Sequence, residues 1–393
     1  MSPAHIAVLG GGYAGVLAAR RLASALGPRG QVTLVSARDH LVERIRLHQV
    51  AAGQAVATHP LARLVGAARV QVATVRALDP IARVVDTSAG PLRPDFVVNA
   101  LGSLAAPVVS GGALAMRLDT PADAASIGAR LRTATPSRPL AIIGGGLTAI
   151  ELAAELALTH PAATVALFCR GQVGGRTLGA AARARVVAAL AAAGVVVRAG
   201  VVVTSIEPDA VVVDGARQPV AGAVWCGGFA ASPLAAAAGL AVVRAGRMLV
   251  EPSLLVAGVD WLWGAGDAAV PDRPVGAPVH MACKTALPMA AAVADHLAAV
   301  VRGAAPGRFW FGDSGGCVSR GRTDAVIQRR GPLGDDRGVV RGRVGAWIKE
   351  AVCRFTIRAL RRPAWQASFR LYARRGRRGL AAAPTSPRLP IAP

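Results

Sequence analysis

Two glycine-rich runs carry the plainest chemistry in this chain of 393 residues. Gly10-Gly-Gly-Tyr-Ala-Gly15 and Gly144-Gly-Gly-Leu-Thr-Ala149 both follow Gly-x-Gly-x-x-Gly, with the small Ala149 third in the second copy. In such a run the first glycine (Gly10, Gly144) makes a tight turn and the second (Gly12, Gly146) lets the backbone approach a pyrophosphate. The third small residue (Gly15, Ala149) lets a helix pack close to a strand. Tyr13 with Ala14, and Leu147 with Thr148, open the helices, whose free N–H groups and positive dipole ends suit phosphate oxygens. A third run, Trp261-Leu-Trp-Gly-Ala-Gly266-Asp267, sets a carboxylate at a strand end, where it can accept from the hydroxyls of a sugar-like chain. A helix expected from about Met281 would turn Met281 and Ala282, at its N-terminus, toward a second polar group. Alone, Gly-Asp reads as a turn; after two dinucleotide motifs it reads as a contact to the ribityl chain of a flavin.

Strands and helices must hold these groups. Ile6–Leu9 and Gln31–Val35 read as β runs around an Ala-rich helical stretch, Val16–Leu26. Pro139–Ile143, Ile150–Ala157 and Thr164–Phe168 repeat the pattern. One such motif is a weak sign, since any glycine-rich loop can turn a chain; two, each between a strand and a helix, point to two bound dinucleotides. Hydrophobic residues make up 53% of the chain and charged residues 17%, which excludes a disordered or collagen-like protein. Aromatics are only 4%, so small aliphatic residues carry the apolar mass, as in helix-covered parallel sheets. The expected class is α/β. The longest uncharged runs, Gln218–Val243 and Val98–Met116, are broken by prolines and glycines, and no transmembrane helix is expected. The five cysteines form no Cys-x-x-Cys, which argues against a metal, an iron–sulfur cluster or a disulfide framework. The N-terminus lacks a charged leader before its apolar run, so a secretory signal is not expected and the cytoplasm is the default.

The net charge of +23 is uneven. From Arg302 onward twenty basic residues stand against five acidic ones, which suggests an anionic partner surface for that segment. Phe309–Gln328 reads as β-type segments and Gly331-Pro-Leu-Gly-Asp-Asp as a loop. Trp347–Arg362 reads as a helix with Trp347, Ala351, Phe355 and Ala359 recurring every four residues and basic residues on the other side. Nucleic-acid readout is not expected, because no binding fold accompanies the charge.

Taken together the motifs resemble the two-dinucleotide-domain flavoproteins of the pyridine nucleotide-disulfide oxidoreductase superfamily, with type II NADH dehydrogenases and apoptosis-inducing-factor-like flavoproteins the nearest in kind. Asp95-Phe-Val-Val-Asn-Ala100-Leu-Gly102 and Val224-Trp-Cys-Gly-Gly228 fall where that family ends each nucleotide-binding half. Ser232-Pro-Leu, Ala238-Gly-Leu, Gly246-Arg-Met-Leu-Val-Glu-Pro and Gly266-Asp267 follow in the family's order, so the likeness covers roughly 5–300. It implies interleaved halves: an FAD-binding domain at 1–108 and 240–300, an NAD(P)H-binding domain at 109–239, a small C-terminal α+β region at 301–378 and a disordered tail at 379–393. FAD would lie on Gly10, Gly12, Tyr13, Ala14, Gly15, Ala100, Gly102, Gly266, Asp267, Met281 and Ala282. NADH or NADPH would lie on Gly144, Gly146, Leu147, Thr148, Ala149 and Gly228. Glu151 matches a family glutamate beside the nicotinamide; a first-turn glutamate complementing the helix dipole is the alternative.

The chain departs from that pattern in three places. Where an acidic residue usually holds the FAD ribose it has Ser36, with Arg38 just beyond, so those two would have to serve. In the second half the corresponding place falls near Cys169, followed by Arg170, a pairing that suits the 2′-phosphate of NADPH. The stretch His40–His48 carries no redox cysteines, so disulfide reduction by a dithiol is excluded and electrons must leave from the flavin. Hydride transfer between stacked rings needs no protein acid or base; the protein supplies position and charge. Lys284, near the helix start after Asp267, is a candidate for stabilising the reduced flavin, with a solvated helix lysine as the alternative; His48, His280 and Cys283 could approach too. The expected function is electron transfer from NAD(P)H to a quinone or quinone-like acceptor, peripheral on the inner face of the cell membrane through the C-terminal basic helix. The same helix could instead pack on the protein or in a homodimer. The alternatives are a soluble reductase of an electron-carrier protein or small metabolite, and a flavin-binding redox sensor with little turnover.

Overall fold

The computed structural model describes residues 2–332 and 334–380, so all but the first two residues of the expected tail lie outside the described residues. The chain begins with β1 (Ala4–Leu9), α1 (Tyr13–Leu26), β2 (Gly30–Ser36), β3 (Arg69–Val72) and β4 (Phe96–Asn99). It then builds a second unit from β5 (Leu140–Ile143), α2 (Leu147–Thr159), β6 (Val165–Cys169), β7 (Val196–Ala199) and β8 (Gly222–Trp225). It returns to the first unit with β9 (Leu255–Val256), β10 (Val259–Gly264) and α3 (Cys283–Val301). The first sheet has the order β9-β10-β4-β1-β2-β3, parallel in every described pairing except the β9–β10 edge; the second, β7-β6-β5-β8, is parallel throughout.

Composition explains this layering. Ile6, Ala7, Val8 and Leu9 are all fully buried, as a strand covered by helices on both faces must be. One cover is α1 packed against α3. By length and composition α3 could cross a membrane, but here Met289, Val293, Ala294 and Leu297 are fully buried in the core of the first unit. Its Ala-rich surface allows the close helix contact.

The last ninety described residues form a three-stranded antiparallel sheet, β11 (Gly315–Ser319), β12 (Ala325–Arg330) and β13 (Asp336–Arg341), followed by α4 (Gly342–Arg361) and α5 (Phe369–Leu380). Phe309 and Phe311 are not strand residues: they precede the sheet in irregular backbone and are buried in the core of the first unit. The helix expected from Trp347 starts at Gly342. Its row of apolar residues divides, because α4 crosses from the sheet onto the first unit: Ala359 and Leu360 are fully buried, whereas Trp347 is 73% exposed. Ion pairs pin α4 down. Glu350 accepts from Arg46 at 2.9 Å, and Arg361 donates to Nδ1 of His59 at 3.0 Å while Nε2 of His59 donates to Glu43 at 2.7 Å. Tyr372 of α5 stacks on Phe311 with ring centroids 6.0 Å apart.

Candidate active site

The two glycine turns differ in how tightly they are closed. Gly10 has φ of +109°, and a Cβ there would lie 2.3 Å from the Ala100 carbonyl oxygen. A Cβ on Gly15 would lie 1.8 Å from the Gly10 carbonyl oxygen, so no side chain fits. The second turn repeats the first constraint, with Gly144 at φ of +137° against the Cys226 carbonyl, but it accommodates the methyl of the fully buried Ala149. Gly12 and Gly146 are different: a Cβ on either would meet nothing within 4 Å. Each is the N-cap of its helix, with no side chain bonded to the free N–H groups. Both helix ends are therefore open to a phosphate.

A cavity of about 500 Å³ leads away from the first turn. Gly10, Ser36, Thr74, Gly102 and Ser232 are among the residues on its wall. The Ser36 hydroxyl accepts from the Arg38 N–H at 3.2 Å, and the Arg38 side chain is exposed. Asp267 follows β10, as its position in sequence suggests. One carboxylate oxygen accepts from the Ser103 hydroxyl at 2.7 Å, while the other is buried without a partner. The Tyr13 hydroxyl is also buried and unpartnered, and burial pushes its pKa well above the ordinary value. Met281 and Ala282 lead into α3, whose N-terminus likewise lacks a side-chain cap. A buried carboxylate oxygen without a donor is costly unless a ligand supplies one. Open helix ends, an orphaned acceptor and a long cavity fit FAD.

Lys284 is not a free surface lysine. Its ammonium donates to Asp313 at 2.7 Å and to the Gly315 carbonyl at 2.9 Å. Burial raises the Asp313 carboxyl, but Lys284 more than offsets it and the pKa ends below the ordinary value. Glu151 is the fifth residue of α2, outside the first turn, so the helix-dipole alternative does not describe it. Its carboxylate meets Lys349 of α4 at 2.8 Å, accepts from the Ser319 N–H at 2.9 Å, and lies 4.0 Å from Nδ1 of His48. Burial would raise the Glu151 pKa, but Lys349 and His48 leave it lowered; Lys349 is raised well above its ordinary value by Glu151 in spite of burial. Burial pulls the His48 imidazole down to about 4, so it is neutral near pH 7. A smaller cavity of about 340 Å³ adjoins this cluster, lined by Arg46, Ser319, Lys349 and Cys353 among others. Lys349, Ser319 and Asp313 escaped the sequence reading. The one available hint was that the chain has only two lysines, and both end on carboxylates of low exposure.

In the second unit β6 ends at Cys169, whose thiol donates to the Gly171 carbonyl at 3.1 Å. Arg170 is exposed and has no side-chain partner among the described residues, and no acidic residue occurs in 169–179. Gly228 lies past the end of β8, beyond the neighbouring strand of that sheet.

The family described as pyridine nucleotide-disulphide oxidoreductase matches residues 4–294. The chain belongs to this family. Two NADH dehydrogenase-like proteins of Mycobacterium tuberculosis are each 32% identical over 294 residues, covering 67% of this chain and 72% of theirs. Among solved structures, the sulfide:quinone oxidoreductase of Aquifex aeolicus superposes with a TM-score of 0.77 at 20% identity, covering 91% of both chains. NDH2 of Plasmodium falciparum, in complex with NADH, superposes at 0.72 with 12% identity, covering 94% of this chain and 99% of that one. At those identities the structural likeness shows the fold alone. As a pyridine nucleotide-disulphide oxidoreductase, the protein is an NAD(P)H-dependent flavoprotein with FAD as its cofactor. FAD, when bound, supplies the hydride-accepting ring; this chain's residues hold its phosphates at Gly12 and its hydroxyls at Asp267, and keep water away from the ring.

Proposed function

We propose that the protein takes electrons from NAD(P)H and delivers them to a quinone or quinone-like acceptor, working with α4 against an anionic membrane surface. One observation carries this reading. Trp347, Val344 and Val352 stand 73%, 61% and 40% exposed on α4, with Arg343, Arg354 and Arg358 exposed on the same helix. An exposed indole beside valines and arginines suits the headgroup region of a bilayer, where the ring leaves water and the guanidinium groups meet lipid phosphate. The solved sulfide:quinone oxidoreductase, whose name states a quinone acceptor, supports the choice of acceptor. NADPH is accepted as well as NADH, because Arg170 stands free where a carboxylate would repel a 2′-phosphate.

The test is anaerobic reduction of the flavin by NAD(P)H, followed by an acceptor panel of quinones and small iron–sulfur carrier proteins, with vesicle flotation alongside. Reoxidation by quinones and flotation with anionic vesicles are expected. Fast reoxidation by a carrier protein, with no vesicle binding, would replace this reading with that of a soluble reductase.

A further inference from the structure

The cavity at the first glycine turn has one charged side chain on its wall, and it belongs to neither glycine motif. That residue is Arg117; no carboxylate lines the cavity. Arg117 is exposed and has no side-chain partner among the described residues. Its backbone does not belong to the first unit. The Met116 N–H donates to the Ala223 carbonyl at 2.8 Å and the Trp225 N–H donates to the Met116 carbonyl at 2.9 Å, so this segment runs parallel to β8 at the edge of the second sheet. The second unit thus carries a guanidinium to a cavity whose other wall is the first unit's turn.

Charge bookkeeping at this end of the cavity is otherwise thin. The ribose-binding carboxylate usual after the second strand is replaced by Ser36, whose hydroxyl already accepts from Arg38. The α1 N-terminus offers backbone N–H groups and a partial positive charge, but two phosphate charges must be met. A planar guanidinium meets phosphate oxygens in pairs, which an ammonium cannot do. We propose that Arg117 is an FAD-binding residue: it grips the adenosine diphosphate end of the cofactor, moving recognition there from ribose hydroxyls to phosphate charge, and it ties the second unit to the bound cofactor. This rests on the flavoprotein assignment.

Full-length protein stripped of flavin is titrated with ADP by calorimetry, and with FAD and riboflavin by fluorescence quenching. In Arg117→Ala, ADP and FAD should bind about tenfold to a hundredfold more weakly. Riboflavin binding and the melting temperature of the flavin-free protein should not change, and Arg117→Lys should recover part of the loss. Equal ADP affinity in wild type and Arg117→Ala would overturn the proposal. A lower flavin-free melting temperature with riboflavin and ADP weakened alike would also overturn it, since Arg117 would then be supporting the fold. Wild type that takes up neither ADP nor FAD would bring down the flavoprotein assignment and this proposal together, a result distinct from normal FAD uptake indifferent to Arg117.

Discussion

An ammonium group leaves water only when a carboxylate goes with it, and this chain places both of its lysines on carboxylates of low exposure. Lys349 and Glu151 lie far apart in sequence, so a reading of α2 alone sees a glutamate near a helix start and nothing of its partner. Removing one member leaves the other buried and unpaired. Glu151→Gln should therefore lower the unfolding free energy by about 3–5 kcal/mol in urea titrations, and Glu151→Gln with Lys349→Met should regain most of it. A loss below about 1 kcal/mol in the single variant would mean that the pair is solvated. Arg170 belongs to the same scale. Arg170→Ala should cut kcat/KM for NADPH about tenfold or more and leave NADH within about twofold. An NADH preference that is large in wild type and survives the change would remove NADPH from the proposed substrates.

The elements were legible where local pattern and burial agree. Both β-α-β units follow from apolar runs broken by glycine turns, and the structure adds which turn is the tighter. Gly15→Ala drives a methyl into the Gly10 carbonyl; a clash with backbone should cost about 3 kcal/mol or more and lower the flavin content of purified protein. Ala149→Gly only loses helix propensity, about 1 kcal/mol, and should keep the fold by thermal melt. The C-terminal helix shows the opposite limit. Its period of four was visible from Trp347 to Ala359, but periodicity does not say which stretch of the apolar row meets the core. Trp347→Ser should leave the melting temperature nearly unchanged, because the ring is 73% exposed. The same variant should weaken flotation with anionic vesicles; undiminished flotation would place the membrane contact elsewhere.

At the scale of the whole molecule, His48 from the first unit, Glu151 from the second and Ser319 and Lys349 from the C-terminal region converge on one buried cluster. Stability should therefore follow pH through it. Burial holds His48 at about 4 against an ordinary 6.5, so between those values the unfolded chain binds a proton that the folded one does not. This contribution is full above about pH 6.5 and is lost as pH falls toward 4, by on the order of 2–3 kcal/mol. The lowered Glu151 pKa slopes the same way at more acidic pH. Urea midpoints measured from pH 7 to 4.5 should fall, and His48→Gln should flatten the fall; an unchanged slope in the variant would exclude His48 as its source. By itself the sequence determined the glycine turns, the strands and helices around them and the dinucleotide chemistry, because those depend on residues within about thirty positions of one another. Only the tertiary structure decided where Lys284 and Lys349 find their carboxylates, that Arg117 reaches the first cavity from the second sheet, and which part of α4 faces water. Those outcomes depend on chain segments meeting across hundreds of residues, and no local period or spacing records such meetings.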